Sequence, residues 1–269
     1  MASFKKYRVG SSKFKLAAVD PADQAFCEGA EGTQRERLDA LAVELDDLQN
    51  LLHAEGKRKL LLVLQGMDTS GKDGTIRWVF SRTSPLGVRV TAFKAPSEEE
   101  RAHDYLWRCH AVVPRNGEIM VWNRSHYEDV LVPVVEGWID KAETQRRYAQ
   151  INDFERLLTE TGTVVVKCML HISKEVQRER LQARIDEPDK RWKFSMDDLK
   201  VREKWDAYQQ TYEKALAATS SKHAPWHVVP SDNKRHRNLM IAQLLVKTLR
   251  EMKFKPPVAD PALKGLVVR

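Results

Sequence analysis

Apolar positions along the chain alternate between two spacings, and each switch marks a new element. Leu38, Leu41, Leu45, Leu48 and Leu52 recur at helical spacing between the capping-box pattern Thr33-x-x-Glu36 and Gly56. This predicts a long amphipathic helix whose stripe serves a core or a subunit interface. Leu60 to Leu64 is an unbroken apolar run, which suits a strand buried on both faces of a parallel sheet. Ser84-Pro85-Leu86-Gly87 reads as a turn and Val88 to Phe93 as a second strand. Ser97-x-x-Glu100 caps a helix running to Pro114, Asn116-Gly117 turns the chain, and Glu118 to Trp122 is a third strand. Tyr148, Ile151, Phe154, Leu157 and Leu158 place a helix over 142–158, and the β-branched run Thr163 to Ile172 is a fourth strand. Ser173 starts a basic helix reaching about Ile185, and a mixed-charge stretch interrupted by Pro188 follows. Ser195-x-x-Asp198 opens one further helix carrying Trp205, Tyr208 and Tyr212. Trp226 to Val229 is a fifth strand, Arg235 to Met252 a last helix, and Pro256-Pro257 marks a tail.

Alternating strands and helices predict a doubly wound α/β fold with a five-stranded parallel sheet. Neither repeats nor a linker divide the chain, so residues 1–269 are expected to form a single domain. Residues 1–32 would be an extension packed on it, and 254–269 the tail.

The first strand leads directly into Gly66-x-x-x-x-Gly71-Lys72 and then into a helical segment. Glycines at both ends let the backbone curl until successive N–H groups point into one cavity. The helix N-terminus behind them adds positive partial charge, and Lys72 adds a full one. The general motif places Ser or Thr after the Lys to hold Mg²⁺; here Asp73 stands there. Its role would fall to Asp68 inside the loop or Thr75 beyond it. Asn123 to Asp129 leave the C-terminal end of the third strand, the sheet edge where open α/β folds bind ligands.

Net charge narrows the partners. With 45 Lys and Arg against 38 Asp and Glu, the 269-residue chain carries +7 and favours an anionic partner, without choosing among polyanions. Three unclustered cysteines, Cys27, Cys109 and Cys168, suit a reducing compartment and give no zinc pattern. No signal peptide opens the chain and no apolar run approaches membrane length, so a cytoplasmic protein is expected, with no membrane partner. No Gly-x-Ser-x-Gly elbow is present, His126 reads as structural or positioning, and the seven tryptophans read as core and lid anchors.

Taken together, Gly66-Met-Asp68-Thr-Ser-Gly71-Lys72-Asp73-Gly74, Ala95-Pro96-Ser97, Tyr105-Leu-Trp-Arg108, Asn123-Arg124-Ser125-His126-Tyr127-Glu128-Asp129 and Arg191-Trp192-Lys193-Phe194 resemble the polyphosphate kinase 2 family, over roughly residues 5 to 255. The short length and the Tyr-Glu-Asp ending look like its class III branch, which phosphorylates nucleoside mono- and diphosphates with inorganic polyphosphate. The resemblance implies a thymidylate-kinase-like P-loop fold, Mg²⁺ dependence, a helical lid over 184–196 and a homo-oligomer, dimer or tetramer. In this family Asp73 is normal. Asn123 departs from the diphosphate-only branch, which has Asp there.

The reaction expected is transfer of a terminal phosphoryl group between polyphosphate and AMP or ADP, with guanine nucleotides as further acceptors. Asp68, Lys72, Asn123, Arg124 and Glu128 form the expected catalytic set, with Asp68 and Glu128 toward Mg²⁺. Phosphate binding is expected from Gly66, Thr69, Ser70, Gly71, Asp73 and Gly74 in the loop, and from Lys94. Arg184, Lys190, Arg191 and Lys193 would close from the lid. Glu128 is further expected to fill the space that a missing phosphate leaves when AMP is the acceptor. Two rivals fit the loop or the charge: an ATP-dependent nucleoside monophosphate kinase, and a non-catalytic polyanion- or nucleic-acid-binding protein. Nucleic acid is not the expected partner.

Overall fold

The computed structural model describes residues 3–10, 13–255 and 260–267. Five parallel strands form one sheet in the order β2-β3-β1-β4-β5: β1 Lys59–Gln65, β2 Val88–Ala92, β3 Ile119–Asn123, β4 Thr163–His171 and β5 Trp226–Pro230. The apolar run sits at the centre. Leu60 pairs with Ile119 on one side and Val164 on the other, and Leu60 to Leu64 are fully buried. A Leu→Ala change here would cost about 2 to 5 kcal/mol, so the base of the phosphate loop is rigid. The chain crosses from β1 to β2 over the position β3 later fills, then from β3 to β4 past β1. The sheet therefore reverses direction around β1, and such a switch point opens a crevice at the strands' C-terminal ends.

Helices cover both faces. Helix α1 (Glu31–Glu55) buries Leu38, Leu45 and Leu52, packs on α10 (Lys234–Met252), and stops at Gly56 in the left-handed conformation. It starts before the expected Thr33 box, with Ala30 as a cap that offers no side chain. Between β1 and β2 lies α2 (Lys72–Val79). The Ser97 capping box forms with Glu100, but the helix it opens is short: α3 (Glu98–Ala102) ends at His103. An Asp104 turn accepting the Leu106 amide then leads to α4 (Trp107–His110). The expected continuous helix to Pro114 is thus two pieces and a turn.

Asn123 to Asp129 is not all loop, because α5 (Glu128–Val135) begins at Glu128. Asp140 caps α6 (Lys141–Glu160) and Ser173 caps α7 (Lys174–Asp186). A 3₁₀ segment, Pro188–Lys193, crosses to α8 (Met196–Glu203), which the Ser195–Asp198 box caps as expected. The helix breaks at Lys204 and restarts as α9 (Trp205–Thr219), so Trp205, Tyr208 and Tyr212 lie on a separate element. Near the N-terminus, Tyr7, Val9 and Phe26 are buried in the common core, and Val9 bonds the Trp226 carbonyl. Pro256-Pro257 lie outside the described residues. Of the tryptophans, Trp122, Trp205 and Trp226 are buried, whereas Trp78, Trp107, Trp138 and Trp192 are exposed and anchor no core. No helix among the described residues is long and apolar enough to cross a membrane.

Candidate functional site

The phosphate loop leaves β1 at Gly66 with φ of 147°. A Cβ there would lie 2.6 Å from the Leu170 carbonyl, so β4 itself demands glycine. Thr69 and Gly71 also take positive φ, 63° and 104°, which turns the loop back over the start of α2. Lys72 is the first residue of that helix. Its Nζ donates to the Gly66 carbonyl at 2.8 Å and the Met67 carbonyl at 3.3 Å, holding the side chain across the loop. Burial, and next the Arg124 charge, lower the Lys72 ammonium to about 8, although Asp68, Glu128 and Asp73 pull it upward.

The end of β3 supplies the facing group. Arg124 also takes a positive φ of 63°, a rare conformation for a bulky residue, and its amide bonds the Leu64 carbonyl of β1. Arg124 Nη2 donates to Asp68 Oδ1 at 2.6 Å, and Nη1 lies 3.6 Å from Glu128 Oε2. Glu128 Oε1 accepts from Gln65 at 3.1 Å. Asn123 Nδ2 donates to Asp73 Oδ1 at 2.6 Å, so the amide of β3 is tied to the residue that replaces the usual hydroxyl.

Above these groups lies an open cleft of about 1000 Å³. Eight cationic side chains line it: Lys72, Lys94, Arg124, Arg180, Arg184, Lys190, Lys193 and Lys234. Among the described residues four carboxylates face them, those of Asp68, Asp73, Asp197 and Asp198. The expected loop residues Thr69, Gly71 and Gly74 and the strand-end Asn123 also line the cleft. Gly66, Ser70 and Glu128 do not: the two loop residues shape the backbone from beneath, and Glu128 meets the site through Arg124 and Gln65.

The lid cations separate into two groups. Lys190 and Lys193 reach the cleft, whereas Arg191 is off its lining and bonds the Ile185 carbonyl at 2.8 Å. Arg191 thus secures the 3₁₀ segment to the end of α7. Arg184 lines the cleft but is engaged by Asp198 and the Lys193 carbonyl, both at 3.1 Å. Arg180 and Lys234 carry no motif; they reach the site because α7 and α10 converge on the loop in three dimensions. Burial lowers Lys234, and the neighbouring Arg180 and Lys190 charges lower it further.

No group of three or more His, Cys, Asp or Glu side chains is placed to hold a metal among the described residues. Mg²⁺, however, takes one or two carboxylates and completes its shell with water and substrate phosphates. Asp68 meets that need from within the cleft. The hydroxyls of Thr69, Ser70 and Thr75 are buried without a hydrogen-bond partner among the described residues, and of these three residues Thr69 lines the cleft. The residues fit the ion, Asp68 foremost.

A phosphate loop between a central parallel strand and a helix, under a cation-rich cleft with a helical lid, defines a P-loop kinase. The sequence profile described as polyphosphate kinase 2 matches residues 29–257. The chain is 48% identical to the AMP/ADP-polyphosphate phosphotransferase of Meiothermus ruber, covering 98% of this chain and 99% of that protein. It is 41% identical to the ADP-polyphosphate phosphotransferase of Rhodopseudomonas palustris, over 96% and 93%. The crystal structure of polyphosphate kinase 2 from Arthrobacter aurescens superposes with a TM-score of 0.94 at 46% identity, covering 98% of this chain and 95% of that one. The chain belongs to the polyphosphate kinase 2 family.

Proposed function

We propose that this protein transfers a phosphoryl group between inorganic polyphosphate and AMP or ADP, with Mg²⁺ as cofactor. The observation that carries the reading is the excess of cations over carboxylates in a cleft built on a phosphate loop. The full-length likeness to a relative named AMP/ADP-polyphosphate phosphotransferase supports the substrates. Two polyanions must meet end to end, and in water their repulsion keeps them apart.

The protein's task is alignment and charge neutralisation, since phosphoryl transfer needs little covalent help. The loop amides and the α2 N-terminus bind one set of phosphate oxygens. Lys72 and Arg124 flank the loop and are assigned to the transferring group, where charge shifts between donor and acceptor oxygens. Asp68 orients Arg124, and would hold Mg²⁺ with the substrate phosphates. Mg²⁺ would supply positive charge that offsets the negative charge of the phosphates. Lys190 and Lys193 supply lid cations that exclude water once the lid closes. The acceptor oxygen is already ionised at neutral pH, so no strong base is required.

The reading includes a cytoplasmic location and self-association. Three free cysteines, Cys27, Cys109 and Cys168, agree with a reducing compartment. Incubation of the purified chain with polyphosphate, Mg²⁺ and ADP, no ATP being supplied, tests the function: ATP must form in proportion to enzyme. An enzyme that phosphorylates AMP with ATP yet ignores polyphosphate would be the ATP-dependent monophosphate kinase instead.

A further inference from the structure

Arg237 lies in the first turn of α10, directly beneath the phosphate loop, and only 2% of it is exposed. A Cβ on Gly71 would sit 1.7 Å from its Nη1, and one on Gly74 would lie 3.2 Å from its Nη2. The guanidinium is therefore pressed flat against the backbone that turns from loop into α2. It donates to the Ser70 carbonyl at 3.2 Å and to Asn238 Oδ1 at 2.9 and 3.1 Å, all neutral acceptors. No carboxylate among the described residues pairs with it.

A buried charge without a counter-charge costs stability, and three features deepen the cost here. Arg237 stands at the positive end of the α10 dipole, in a first turn that holds Lys234 and Arg235 and no acid. Arg180 adds a like charge, and its own guanidinium bonds the Thr69 carbonyl of the same loop at 3.0 Å. Burial, with Arg180 next, accordingly lowers Arg237 to about 9. A plain structural strut would not need a charge, because a neutral donor could satisfy the Ser70 carbonyl.

We propose that Arg237 is a positioning residue for phosphoryl transfer, a buried cation that fixes the loop through Ser70 and whose counter-ion is the phosphate bound on the loop's other face. It touches no substrate. Its donation turns the Ser70 carbonyl away from the cleft, and its charge adds to the field of the loop amides and the α2 N-terminus. This inference rests on the phosphate-transfer reading of the site.

Two variants separate charge from support. Arg237→Gln keeps a donor toward Ser70 but removes the charge; Arg237→Lys keeps the charge with fewer donors. The readouts are the rise in Tm on adding inorganic tripolyphosphate, and kcat/KM for ADP with polyphosphate. The Gln variant should keep its ligand-free Tm within a few degrees, lose at least half of the tripolyphosphate-induced rise, and drop about tenfold or more in kcat/KM. The Lys variant should recover most of the Tm rise. A Gln variant with the wild-type Tm rise and kcat/KM would overturn the proposal, and so would a Lys variant as impaired as Gln. Should the Gln variant not fold, Lys alone decides: loss of its Tm rise contradicts the charge role, and retention supports it. Wild-type turnover is measured alongside, so an inactive wild type would count against the reaction, while the tripolyphosphate arm still judges Arg237.

Discussion

Arg124 at the end of β3 is bound by Asp68 of the phosphate loop, Nη2 to Oδ1 at 2.6 Å, across 56 residues of sequence. The strand-end cation is thereby aimed over the loop by the same carboxylate best placed for Mg²⁺. Removing the Asp68 charge therefore acts twice, on the cation's aim and on the ion. Asp68→Asn should lower kcat by about 10² or more with little change in Tm. Steady-state kinetics over a Mg²⁺ titration, with thermal unfolding as control, checks this; wild-type kcat at any Mg²⁺ level would contradict it.

Lys72 is the cation nearest the loop's own carbonyls, and its loss removes charge stabilisation from the transferring group. Lys72→Ala should reduce kcat about 10²- to 10³-fold while the fold persists. Circular dichroism with a single-turnover assay distinguishes lost chemistry from lost structure. A folded variant with wild-type turnover would remove Lys72 from the reaction.

The lowered Lys72 also predicts a pH dependence. The free enzyme loses this proton near pH 8, whereas bound phosphate favours the ammonium and holds the proton to higher pH. kcat/KM for polyphosphate should thus fall as pH rises above about 8, while kcat declines only at higher pH. The sign for stability is opposite. The folded value lies below the ordinary 10.5, so the group destabilises the ligand-free fold at neutral pH. That penalty shrinks between about pH 8 and 10.5, as the unfolded chain comes to hold more protons than the folded one. Lys72→Arg should abolish the decline in kcat/KM.

The lid cations should divide by function. Lys193 lines the cleft, so Lys193→Ala should raise the polyphosphate KM by about tenfold for one lost charge–phosphate contact. Arg191 bonds the Ile185 carbonyl and should affect KM less, acting on the order of the 188–193 segment. Equal KM increases in the two variants would mean that Arg191 turns into the cleft on binding.

Glu128 bears on acceptor choice. Its carboxylate lies 3.6 Å from Arg124 and accepts from Gln65, close enough to influence Lys72. An acceptor with one phosphate fewer leaves space and charge unfilled, and a carboxylate holding water or a second ion can compensate. Glu128→Asn should cut kcat/KM for AMP at least about tenfold more than for ADP. Equal losses would make Glu128 simply the residue that orients Arg124.

The sheet was legible in the sequence because its strands are buried differently. The unbroken run Leu60 to Leu64 reads as central, and the glycines around it need only local geometry. The division of α8 from α9 was not legible, since Lys204, where the helix breaks, is neither Gly nor Pro and carries no local stop signal. Helix α5 was hidden because it starts without a side-chain cap after Tyr127 and contains Pro133. In the site, the loop and Arg124 carried motifs, but Arg180, Lys234 and Arg237 did not. One signal was present: Lys234-Arg235-His236-Arg237 open α10 with the wrong sign for its dipole, which only a nearby anion would favour.

The account's central claim is that polyphosphate itself is the phosphoryl donor. The most direct measurement follows the products by ³¹P NMR in a mixture of enzyme, ADP, Mg²⁺ and polyphosphate freed of ATP, with AMP in a parallel reaction. The account predicts ATP from ADP, and ADP followed by ATP from AMP, with the polyphosphate chain shortening by one phosphate per transfer. No product without added ATP, from enzyme that binds nucleotide and is folded, would contradict it.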